Sequence, residues 1–139
     1  MKTSQQLTYT EGQWLPSLTF GGGSLNMTYI SRNAYFSRIG SVCHITGYLN
    51  ISSIGTSVGI ARIEDLPFKV GASALLFPIA VEFGQKITYS GQYSLLAETG
   101  TTVLRLKQIT EAGVGSDLFD TNFIGTPQII SFAGTYSVV

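Results

Sequence analysis

Charge is scarce in this chain, and cysteine and histidine are almost missing. Of 139 residues only 12% are Asp, Glu, Lys or Arg, with 8 cations against 8 anions and no net charge. That is about half the roughly 25% usual for soluble domains. Without a basic excess there is little to neutralise phosphates, so nucleic-acid binding is not expected. The single cysteine excludes an internal disulfide and hence a disulfide-stapled scaffold, while leaving the redox compartment open. One Cys and one His do not supply a zinc site. The longest apolar runs, such as "ALLFPIAV", fall far short of the ~20 residues of a membrane span. The opening "MKTSQQLTYTEG" has no apolar h-region and reads as a leader or linker over 1–10, not a signal peptide.

What the chain does have is glycine, 16 residues, and aromatics, 12%. Few charges with many aromatics suggest that part of the surface faces another copy of the chain, not water. Apolar residues recur with period 2 and hardly anywhere with helical period. In "WLPSLTF", Trp14, Leu18 and Phe20 share one parity, and Pro16 points to a strand start or an edge. "GGGS" at 21–24 breaks the chain, and "NAYFSRIGSV" runs toward a turn around Gly40. "FPIAVEF" puts Phe77, Ile79, Val81 and Phe83 on one face, and "VLRLKQI" separates Leu104 and Leu106 from Arg105 and Lys107. In the closing "IISFAGTYSVV", Ile130, Phe132, Tyr136 and Val138 align. Turn residues separate these runs every 8–15 positions. The pattern predicts one all-β domain over 11–139, an antiparallel β-sandwich of jelly-roll kind. Weak helical signals fall at Ala72–Leu76, and a turn is expected near Ser116–Asn122.

The stretch "VCHITGYLNIS" at 42–52 sets Cys43 beside His44, a pairing that elsewhere makes a nucleophile and its base. On a strand, neighbours point to opposite faces. Cys43 therefore joins the apolar row Ile45, Leu49 and Ile51. His44 joins Thr46, Tyr48 and Asn50 on the other, amphipathic row. The two cannot act together.

Other motifs weaken in the same way. No G-x-S-x-G elbow leads into a helix, and the only histidine sits in mid-strand. "GVGSDLFDTN" gathers Asp117, Asp120 and Asn122 without the spacing or terminal Glu of a calcium loop, so turn and capping chemistry is expected there. Glu64 and Asp65 are adjacent at a strand end and diverge. A carboxyl pair assembled in space or across subunits stays open. "GGG" lacks the helix and the Lys-Ser/Thr of a phosphate loop. Trp14 is expected in the core or an interface, with a sugar-stacking platform as the other reading.

Four stretches carry a resemblance. "EGQWLPSLTFGG" at 11–22 resembles an "EGTWTPxLxFGG" opening, and "YFSRIGSVCHITGYLNIS" at 35–52 resembles a "YTRIGxxVxVxGxIxLT" hairpin. "DLPF" at 65–68 resembles a "GLPF" turn, and "FAGTY" at 132–136 an "SGTY" strand. In this order they resemble the C-terminal domain of tailed-bacteriophage tailspikes and tail fibres. The matching positions, Trp14, Phe36, Arg38, Gly40, Leu66, Pro67, Phe68, Gly134 and Tyr136, read as structural. Asp65 departs from the pattern's Gly, and Cys43-His44 stand where small or β-branched residues are usual.

The resemblance implies a non-enzymatic homotrimer at the distal tip of the virion's tail, attached to the rest of the tailspike and acting at the bacterial surface. Its implied ligand is a surface polysaccharide. The alternative is a purely structural module that trimerises and caps the spike. For a sugar, His44, Tyr48 and Asn50 offer an aromatic face flanked by donors and acceptors, and Arg105 and Lys107 offer charge to an acidic polysaccharide. No cofactor, metal, nucleic acid or membrane insertion is expected.

Overall fold

The computed structural model describes residues 8–72 and 76–138, apart from the side chains of 76 and 82–85. Among them ten strands form one antiparallel sheet: β1 (Tyr9–Gln13), β2 (Ser17–Phe20), β3 (Thr28–Ile39), β4 (Val42–Ser53), β5 (Ala61–Glu64), β6 (Leu76–Gln85), β7 (Gln92–Glu98), β8 (Leu104–Ile109), β9 (Gly115–Asp117) and β10 (Gln128–Ser137). The spatial order is β1-β3-β4-β10-β6-β7-β8-β5-β2, with β9 added beside β8. Tyr9 and Thr10, inside the expected leader, already pair with Ile39 and Arg38.

The sheet must curl, and chain length says why. β1 and β2 lie at opposite ends of the order, yet only Trp14–Pro16 separate them. A flat sheet would hold its two end strands roughly 38 Å apart at about 4.8 Å per spacing. Four peptide steps reach at most roughly 14 Å. The sheet therefore wraps into a half-barrel that brings its edges toward each other. Strand β6 makes the corner. Leu76–Ile79 pair with β7, and Ala80–Gln85 pair with β10, with a register shift at Ser131/Phe132.

The enclosed side is the core, and the period-2 rows fill it. Leu18 and Phe20, Cys43, Ile45, Leu49 and Ile51, Leu104 and Leu106, and Ile130, Phe132 and Tyr136 are all buried. Phe77 and Val81 are half-buried and pack on this cluster beside buried Ile79. Phe83's side chain lies outside the described residues. Trp14 is a core residue. Its ring is 6.1 Å from that of Phe132, and its Nε1–H donates to the Tyr35 carbonyl at 3.2 Å. Pro16 stands just before edge strand β2, whose missing partner tolerates a residue without an N–H.

Two turns carry the expected backbone chemistry. Gly40 adopts φ 58 at the first central position of the two-residue β3–β4 turn, as a hairpin of the II′ kind requires. Asp65 adopts φ 72. This is the left-handed region where glycine is the default and Asp or Asn the usual alternative. Of the expected helical piece at Ala72–Leu76, residues 73–75 lie outside the described residues and Leu76 opens β6. The turn near Ser116–Asn122 resolves into β9 and one 3-10 turn at Asp120–Asn122.

Candidate functional site

Hairpin register places the amphipathic row of β4. Counted outward from Gly40 and Ser41, His44 lies opposite Ser37, Thr46 opposite Tyr35, and Tyr48 opposite Asn33. On its other side β4 meets β10, so Thr135, Ala133 and Ser131 extend the same three rows. All of these sit on the outer face of the curl, because their alternates are core.

Between the Tyr35–Thr46–Ala133 row and the Asn33–Tyr48–Ser131 row runs a groove of about 320 Å³. Ala133, with only a methyl group, leaves it open. Beneath the groove floor, on the inner face, Gly47 makes room for the buried Phe132 ring, which a Cβ there would strike. Tyr35 is 52% exposed and forms one wall, while Tyr48 is half-buried. A smaller hollow of about 200 Å³ continues from Tyr35 to His44 and Glu11. Glu11 accepts the Tyr9 hydroxyl proton at 2.6 Å, and this bond raises the Tyr9 phenol above its ordinary pKa. The arrangement offers two aromatic faces, an imidazole, a carboxylate and several hydroxyls within one shallow surface. Such a surface suits a ligand with an apolar face and a polar rim.

The structure divides the expected site residues. His44, exposed, and Tyr48 border the groove system. Asn50 follows on the same row, but its Oδ1 is buried without a hydrogen-bond partner, so the acceptor is turned away from solvent. Arg105 and Lys107 are not brought to this place. They lie on β8, four strands away in the sheet order, and both face Asp117 at 3.4 and 3.7 Å. Tyr35, Asn33 and Glu11 went unread in the sequence, although the two-residue turn at Gly40 was signal enough to set Tyr35 and Asn33 opposite Thr46 and Tyr48.

A larger concavity, about 480 Å³, opens where β6 leaves β7, lined by Ile79, Val81, Tyr93 and Leu95 among others. It carries fewer converging polar groups than the Tyr35 groove, and we place the candidate site at the groove on that chemistry. The acidic loop is structural: Asp120 Oδ1 accepts the Gly59 N–H at 2.9 Å, and Asn122 Oδ1 accepts the Phe119 N–H at 2.8 Å. Glu64 accepts the Thr19 hydroxyl at 2.7 Å. Cys43 is buried, and burial raises its thiol pKa above the ordinary value. Among the described residues no group of three His, Cys, Asp or Glu is arranged to hold a metal ion.

The motif residues meet on the inner side. The Phe36 and Phe68 rings pack edge-to-face at 5.4 Å, and the Arg38 guanidinium lies 4.7 Å from the Phe68 ring centroid. Arg38 Nε also donates to the Gly40 carbonyl at 2.8 Å. No protein-family model matches the chain, and no curated protein matches it.

Proposed function

We propose that this domain is a distal module of a bacteriophage tailspike or tail fibre, a jelly-roll-like sandwich assembled as a homotrimer, which contributes to binding bacterial surface polysaccharide. The carrying observation is the groove walled by Tyr35 and Tyr48 on the outer face of β3, β4 and β10, with Asn33, Thr46 and Ser131 along it. Aromatic walls stack on the apolar face of a pyranose, and the short polar side chains meet its hydroxyls. The motif order read in the sequence supports the tailspike context. The reading is non-enzymatic, as the motif resemblance implies.

The second reading, a purely structural capping module, has its own observation. Tyr9, Ile39 and Val42 are neighbours in register on the same outer face and are each more than half exposed. Such a cluster suits contact with another copy of the chain. The paired change Tyr48→Ala with His44→Ala, and separately Tyr35→Ala, distinguishes the two when host-cell binding and assembly mass are read in parallel. Lost binding with the mass unchanged supports the sugar face. A reduced mass assigns the face to assembly. Unchanged binding with unchanged mass removes these residues from the site.

A further inference from the structure

The outer face on the other half of the sheet carries an unusual pairing. In the β5–β8 ladder, Arg62 stands directly opposite Arg105. Like charges directly opposite one another on antiparallel strands destabilise the pair, so an anion held between the two would relieve it. Arg105 has partial compensation from within the fold. One of its Nη atoms lies 3.4 Å from Asp117 Oδ1, and its Nε is 3.8 Å from Glu98 Oε2. The second distance is an ion-pair separation and too long for a hydrogen bond. Asp117 is shared with Lys107, and the Glu64 carboxylate accepts from Thr19. Arg62 has no carboxylate partner among the described residues.

The Nε atoms of both Arg62 and Arg105 are shielded from solvent and have no acceptor. Those edges are closed to an outside group as well, so a ligand approaching from solvent meets the Nη ends of the two guanidinium groups. Both side chains are only partly buried, that of Arg105 being 25% exposed, so the pair can be reached from outside. Lys107, two residues along β8, adds a third cation on the same face.

We propose that Arg62 and Arg105 form an oxyanion site, in which one carboxylate or phosphoryl group bridges the two guanidinium groups across the β5–β8 ladder. Guanidinium forks match the paired oxygens of such groups, and the bonds are charge-assisted. The site lies apart from the Tyr35 groove and does not depend on its ligand. Arg62 is its main residue, because its donors are uncommitted. Arg105 contributes what Asp117 leaves free.

The test is a titration of the whole chain, followed through the arginine Nε–H resonances, with glucuronate and inorganic phosphate as probes and glucose as the uncharged control. Saturable shifts confined to Arg62 and Arg105 are expected for at least one anion and not for glucose. A glucuronate response alone identifies a carboxylate ligand, and a stronger phosphate response identifies a phosphoryl one. Arg62→Gln should weaken binding by about tenfold or more, the equivalent of one charge-assisted hydrogen bond. Arg62→Lys keeps the charge and the stem but loses the fork, and should fall between the two. No saturable shift with either anion overturns the proposal. So does an Arg62→Gln or Arg62→Lys protein that binds as tightly as the original chain.

Discussion

The Tyr136 hydroxyl holds both backbone polar groups of Phe68, donating to its carbonyl at 2.9 Å and accepting its N–H at 3.3 Å. One side chain of β10 thereby fastens the 65–68 turn, across 68 positions of sequence. The Phe68 ring is in turn held by Phe36 and Arg38. Tyr136→Phe keeps the packing and removes both bonds. It should cost about 1–3 kcal/mol in urea unfolding, the usual range when a shielded polar group loses its partner. Unchanged stability would mean that water takes over both groups.

Leu106 is fully buried on β8 between two half-buried cations in the chain, Arg105 and Lys107. Leu106→Ala should destabilise by about 2–5 kcal/mol through lost burial and a residual cavity. A loss below about 0.5 kcal/mol is the mark of a surface position and would contradict this core.

Alkaline pH should weaken the fold. Burial, the larger cause for both, raises Tyr136 above the ordinary phenol value of 10.0 and Cys43 above the ordinary thiol value of 9.0. Above the ordinary value the unfolded chain has released its proton while the folded chain still holds it. The unfolded state then binds fewer protons, and stability falls with rising pH. Stability from these groups is full below about pH 9 and declines above it, by at most about 1.4 kcal/mol per pH unit for each group. Urea midpoints that stay flat from pH 8 to about pH 11 would contradict the burial of both.

Asp65 stands at φ 72, where a β-branched side chain is strained. Asp65→Val should cost about 1–2 kcal/mol, while Asp65→Gly should stay within about 0.5–1 kcal/mol of the original. Thermal melts of the pair report the difference directly. Equal losses for both variants would show that the Asp side chain, not the backbone, matters at this turn.

Assembly follows from the proposed function. Light scattering at micromolar concentration should return three chain masses. Salt should change this little, because Tyr9, Ile39 and Val42 are apolar or aromatic and screening acts on charges. A monomer at that concentration would overturn the trimer.

The inner and outer rows of β4, β8 and β10 were legible in the sequence, because a strand's side-chain period is 2 and their buried rows are apolar. Cys43 against His44, Leu106 against Arg105 and Phe132 against Ala133 fall on the faces that this rule assigns. The turn at Gly40 was legible for a local reason as well, since only a residue that tolerates positive φ closes so short a hairpin. Which rows lie beside each other was decided by the tertiary structure alone. Period 2 says that His44 and Arg105 both face outward, and nothing local says that three strands stand between theirs. That separation comes from β6, whose two halves pair with different neighbours and turn the sheet through a corner. The meeting of Arg62 with Arg105 has the same origin. Strand pairing across 43 positions is a property of the curled sheet, because the hydrogen bonds that set it join backbones whose sequences carry no mark of each other.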